Sequence, residues 1–163
     1  MNLTDMELQG RCQRFLEAQP HMRKLGLKVV SACPYQVVIE LPVQEILFSS
    51  EANTYLHGGV LTTMVDHASS AATLCALQDY ELCPTLDLRI DHMSRPAQDM
   101  PLYVQAECYR VTRKVLFTRA TVYQLTTEQP IAYAISTFMR PDPGTTDPVF
   151  KSVIEGDSQG AQS

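Results

Sequence analysis

Leu56-His57-Gly58-Gly59-Val60-Leu61-Thr62-Thr63-Met64-Val65-Asp66 is the stretch that decides how this chain is read. A histidine and two glycines lead into small and apolar residues that run to Ala76 without proline or a further glycine. That pattern predicts a loop feeding a helix over about 58 to 78. The start of such a helix carries free N–H groups and partial positive charge, so it can hold a polarised carbonyl or a developing oxyanion. Val60, Leu61, Met64, Val65, Ala68, Ala71, Ala72, Leu74, Cys75 and Leu77 cover nearly the whole circumference, which predicts a buried helix. Asp66 lies inside this apolar run, and a buried carboxylate is costly unless it is paired.

Geometry adds a constraint. His57 and Asp66 are nine positions apart, about 13 Å along a helix axis. The glycines and the acid of one chain therefore do not meet at one small reacting group. A second copy of the helix, running antiparallel, would bring its acid to the first copy's glycines. A homodimer with two sites across its interface is the expectation.

Working outward, residues 4 to 19 read as an amphipathic helix capped by Thr4 or Asp5, with Met6, Leu8, Cys12, Phe15 and Leu16 as its apolar stripe. Pro20 ends it, and 21 to 25 form a short connection. Leu27 to Ala32 and Gln36 to Leu41 read as a hairpin around Pro34, and Val43 to Phe48 as a single helical turn. Beyond the central helix the period becomes two. Thr85-Leu86-Asp87-Leu88-Arg89-Ile90-Asp91 places Leu86, Leu88 and Ile90 on one face and polar groups on the other. Leu102 to Val111, Val115 to Leu125 and Ile131 to Met139 follow as a meander with short turns. The expected class is α+β: a long central helix wrapped by a curved antiparallel sheet of five or six strands, with an N-terminal helical arm.

Composition narrows the function. A length of 163 residues and 45% hydrophobic content suit one domain with a real core. A net charge of −5 argues against nucleic acid as partner. The chain shows neither a membrane-length apolar run nor a secretory leader pattern, so a cytoplasmic protein is expected. Five cysteines without a CxxC pair read as buried thiols rather than a disulfide framework or zinc site. The four histidines, 21, 57, 67 and 92, have no metal-ligand spacing, and neither a GxSxG elbow nor a phosphate-binding GxxxxGK[ST] loop occurs. No metal or cofactor is expected.

His57-Gly58-Gly59, Asp66 nine residues on, the strand Thr85-x-Asp87-x-Arg89-Ile90-Asp91 and Pro96-Ala97 together resemble the hotdog-fold acyl-CoA thioesterases of the PaaI-like, phenylacetate-pathway type. The resemblance covers about residues 25 to 140. It implies a hotdog domain over 25–140, after a helical arm at 1–24 and before a polar, partly disordered tail at 141–163. It also implies homodimers, often paired into homotetramers, that hydrolyse acyl-CoA thioesters without a metal.

Residue by residue, Asp66 matches the family's catalytic carboxylate, acting as base on water or as nucleophile. Gly58 matches the amide that polarises the carbonyl, with Gly59 beside it. His57 matches the loop histidine, and Thr85 a Ser/Thr that positions the attacking water. Family members commonly carry Asn or Gln six residues before the histidine and glycine three before it. Here Glu51 and Thr54 occupy those positions, with Asn53 as another candidate to touch substrate. Segment 92 to 96 runs one residue longer than is usual, which suggests a bulge.

Outside the motif, Arg110, Arg113 and Lys114 cluster at a strand–turn–strand and are candidates for the CoA phosphates. Asp87, Arg89 and Asp91 read as a solvated charge ladder, and His67 as structural. A non-catalytic acyl-CoA-binding hotdog protein is the alternative function, motivated by Glu51 and Thr54. A hydratase or dehydratase on the same fold is a weaker one.

Overall fold

The glycine pair opens α3 (Gly58–Leu77), a twenty-residue helix that the rest of the chain encloses on one side. The computed structural model describes residues 3–48 and 56–156. Before α3 come α1 (Asp5–Glu17), α2 (Pro20–Leu25), β1 (Lys28–Cys33), β2 (Gln36–Leu41) and a short 3-10 turn at Glu45–Leu47. After it come β3 (Thr85–His92), β4 (Leu102–Val111), β5 (Val115–Tyr123), β6 (Ala132–Met139) and α4 (Pro148–Glu155). All six strands form one antiparallel sheet in the order β1-β2-β4-β5-β6-β3. The expected α+β hotdog architecture is borne out, with β4-β5-β6 as its meander.

Cross-strand partners share a face, so the register shows what lines the inside. Val37, Ala106, Ala120, Ala134 and Ile90 form one continuous row across five strands. Three central alanines in that row leave room for a helix, and α3 packs on β2, β4 and β5. The helix answers with Ala68, Ala71, Ala72 and Cys75, all fully buried. Small residues on both surfaces let helix and sheet approach closely, which strengthens dispersion contacts.

The arm behaves as its sequence predicts in most respects. Thr4 caps α1 in a capping box with Glu7, and Leu8, Cys12 and Leu16 are buried. Met6 is not in the stripe; it is 81% exposed. Pro20 both ends α1 and starts α2, where its missing N–H costs nothing. Gly26 closes α2 with φ +66, a left-handed conformation that glycine adopts without strain.

Two expectations need correction. The central helix is not buried all round in the single chain: Thr62 is exposed, and Thr63, Asp66, His67 and Ser70 are half-buried. The sheet covers one side and α1 another, and this strip is left over. The stretch after residue 140, read as a polar tail, contains α4. Asp147 caps it, Phe150 and Ile154 are buried, and Phe15 meets Phe150 edge-to-face at 5.9 Å. Its four apolar residues are too few to announce a helix by periodicity.

Candidate active site

The loop before α3 is tied down at its last two residues. Leu56 bridges to Phe48, and the His57 amide donates to Leu47 O at 2.9 Å. His57 then serves as N-cap: its Nδ1 accepts from the Gly59 amide at 3.1 Å. A ring nitrogen thus does what a Ser or Asp oxygen commonly does there. It also fixes the tautomer, because an accepting Nδ1 carries no proton. A Cβ on Gly59 would sit 3.0 Å from that nitrogen, whereas a Cβ on Gly58 meets nothing within 4 Å. A side chain at 59 would thus crowd the cap, and Gly58 faces open space among the described residues. With the Gly59 amide on His57 Nδ1 and the Val60 amide on His57 O, the Gly58 amide is the donor left at the helix start among the described residues.

Asp66 stands two turns further along. Thr85 Oγ1 donates to its Oδ1 at 2.8 Å. Strict alternation would place Thr85 on the outer face with Asp87, Arg89 and Asp91. Between Thr85 and Asp87 the register slips by one, and Thr85 stands opposite Phe138, a fully buried inner-face residue. This β-bulge turns Thr85 toward α3 and leaves Leu86 57% exposed. At the far end of β3, Met93 and Ser94 both donate to Ile131 O, at 2.9 and 3.2 Å. Arg89 pairs with Asp91 at 3.1 Å in solvent, as a surface ladder.

His67, next to Asp66, turns the other way. Its Nδ1 lies 2.9 Å from Thr63 O and its Nε2 2.8 Å from the Gln19 amide, with His21 edge-on at 5.3 Å. Burial holds the imidazole below its ordinary pKa, against the opposing pull of the Thr63 carbonyl and Asp66. Gln19 Oε1 is the atom placed at Nε2; a neutral ring donating to Thr63 O accepts at Nε2, which calls for the Gln19 amide to be turned so that its NH2 group donates there.

The basic cluster sits at the same end of the sheet as Thr85. Val111, Leu116, Phe138 and Thr85 form one row across β4, β5, β6 and β3. Three strand spacings put Val111, where the β4–β5 turn begins, about 14 Å from Thr85. Arg110 and Arg113 are exposed, and Lys114 pairs with Asp142 at 2.7 Å. Glu51, Asn53 and Thr54 lie outside the described residues. The structure thus brings Asp66 to Thr85 and His57 to Gly59, and keeps the two pairs apart on one helix. Gln19, Glu81 and Arg140 are not singled out by the sequence. The only signal for Glu81 is an acid just ahead of the apolar triplet Leu82-Cys83-Pro84. Among the described residues, no cluster of His, Cys, Asp and Glu has metal-binding geometry.

Comparison with known proteins points one way. The family model of the thioesterase superfamily matches residues 53–131. A crystal structure of a Pseudomonas aeruginosa protein is 42% identical, with a TM-score of 0.76, covering 82% of this chain and 99% of that one. Acyl-coenzyme A thioesterase 13 of Homo sapiens is 29% identical over 117 residues, 71% of this chain and 81% of that protein. A mutant of the phenylacetic acid degradation protein PaaI from Thermus thermophilus shares the fold at 22% identity, with a TM-score of 0.66, covering 76% and 100%.

Proposed function

The chain belongs to the thioesterase superfamily and has its hotdog fold, and from that premise we propose that it hydrolyses an acyl-CoA thioester to the free acid and CoA, with Asp66 as general base. The observation that carries this reading is the Thr85 hydroxyl on Asp66, 2.8 Å away, on the open strip of α3. The hydroxyl occupies Oδ1 and keeps two acceptor lone pairs of its own. A water between Asp66 Oδ2 and Thr85 Oγ1 is then held by both groups. Its proton passes to the carboxylate as its oxygen attacks the thioester carbonyl. That arrangement favours a base over a nucleophile.

The developing oxyanion needs a donor, and the Gly58 amide at the helix start is suited to it. Gly58 and Asp66 of one chain are eight residues apart on one helix, about 12 Å. A homodimer resolves the distance. In its support, β3 forms an edge of the sheet beside Asp66, and edge strands with exposed apolar side chains such as Leu86 are commonly paired or covered. The acid of one chain would then serve the amide of the other. Arg110, Arg113 and Lys114 would receive the CoA phosphates, at a distance an extended pantetheine arm covers. The relative named acyl-coenzyme A thioesterase 13 supports the same substrate class. All five cysteines are free thiols, which supports a reducing, cytoplasmic setting. No helix among the described residues is long and apolar enough to cross a membrane.

The test is thiol release from short, medium, long and phenylacetyl-type acyl-CoAs, with wild type and Asp66→Asn side by side. Asp66→Asn is expected to lose about 10²- to 10⁴-fold in kcat while staying folded. Undiminished turnover by that variant would overturn the assignment.

A further inference from the structure

Thr85 reaches Asp66 because the chain enters β3 irregularly, and a buried ion pair that the chemistry above does not use sits at that entrance. Glu81, four residues ahead of Thr85, has a side chain only 1% exposed. The guanidinium of Arg140 forks onto both its oxygens: Nε donates to Oε2 at 2.7 Å and Nη2 to Oε1 at 3.0 Å. The Gly144 amide donates to Oε1 at 2.7 Å. Burial pushes the Glu81 carboxyl up, but the Arg140 and Gly144 bonds outweigh it and hold it below the ordinary range. Arg140 also donates through Nη1 to Thr112 O at 3.2 Å, and its own amide donates to Lys114 O at 2.8 Å. One further bond, Met139 N to Pro84 O at 2.9 Å, ties the chain immediately ahead of Thr85.

A buried ion pair is a weak way to gain stability, since apolar residues of similar volume often do as well or better. What it supplies is a fixed geometry. Here that geometry lies at the one place in β3 where register matters most. A slip by one residue would return Thr85 to the outer face and leave Asp66 without its donor. We infer that Glu81 and Arg140 are positioning residues, whose forked pair fixes the entry to β3 so that Thr85 stands opposite Phe138 with its hydroxyl on Asp66. The consequence for turnover rests on the thioesterase reading; the placement of Thr85 does not.

Two readouts separate these. The first is the χ1 rotamer of Thr85, from three-bond couplings of its Cγ2 carbon in solution NMR. The second is kcat and KM for the best acyl-CoA. Both are measured on wild type and Arg140→Lys, and kinetics alone on Thr85→Val and on the Thr85→Val/Arg140→Lys double variant, with thermal denaturation as the folding control. Arg140→Lys keeps the charge and loses the fork. It is expected to average the Thr85 rotamer and lower kcat about tenfold with KM unchanged, which is the scale of one hydrogen bond to a charged group. Added to Thr85→Val it should cost nothing more, because both act through the same hydroxyl. Glu81→Gln, nearly isosteric, should reproduce the result and stands in if Arg140→Lys does not fold. A single Thr85 rotamer in these variants overturns the inference, whatever happens to turnover. Where wild type turns over, unchanged kcat in Arg140→Lys, or full additivity in the double variant, overturns the claim that the pair acts on turnover through the Thr85 hydroxyl. If wild type cleaves no acyl-CoA, the thioesterase reading fails by itself, and the couplings decide the placement of Thr85.

Discussion

The Gly59 amide donates to Nδ1 of His57, and a side chain at position 59 would strike the ring that receives it. Gly59→Ala is therefore expected to push the imidazole off the amide and weaken the start of α3, at a cost of up to about 1 kcal/mol for the lost cap. Activity should fall with it, because the Gly58 amide loses its fixed direction. Gly58→Ala adds a methyl that meets no described residue of the same chain. It should leave the cap intact and act on substrate binding alone. Thermal denaturation and steady-state kinetics on the two variants separate these effects.

His67 makes stability depend on pH. Its folded pKa lies below the ordinary value near 6.5, chiefly through burial. A depressed base binds protons more readily when unfolded, so its contribution is complete above about 6.5 and is lost as pH falls through the folded value. Unfolding free energies of wild type and His67→Gln between pH 7.5 and 5 should converge toward the acid end. A constant gap between them would refute the sign.

The basic turn is testable by salt. Reversing Arg113 and Lys114 to glutamate is expected to raise KM for acyl-CoA several-fold with little change in kcat. The wild-type KM should itself rise with ionic strength, as exposed charge pairs are screened. If the acid Asp142 already neutralises Lys114, Arg113→Glu alone will carry most of the change.

The C-terminal helix should matter to the whole domain. Ile154 is fully buried, and Arg14 Nε donates to its carbonyl from α1. Ile154→Ala is expected to destabilise the protein by about 2–4 kcal/mol. Chemical denaturation reads this directly, and a loss under about 0.5 kcal/mol, the scale of an ordinary surface substitution, would mean that α4 is merely laid on the surface.

These expectations divide along a line visible in the residues themselves. The helix from Gly58, the meander and the 3-10 turn near Leu47 follow from local rules: glycines before an uninterrupted run, alternation, proline stops. Asp66 and Thr85 are legible as partners only through the family motif. Nothing local says that a bulge turns Thr85 inward, since its own strand pattern predicts the opposite face. Glu81 and Arg140 meet across 59 positions, and pairing at that separation leaves no periodic trace. The open strip of α3 escapes the sequence because hydrophobicity alone does not say what is left to cover each face.

A straight helix between Gly58 and Asp66 works as a ruler, keeping the two ends of the chemistry apart within each chain. Under the shared-site reading, no chain can use its own acid on its own amide. Two crippled proteins, one lacking the Asp66 carboxylate and one blocked at the Gly58 amide, would then repair each other when mixed. One of the two pockets in each hybrid would inherit both working halves. Complementation in mixtures, with up to half the wild-type activity per hybrid, is thus written into the length of a single helix.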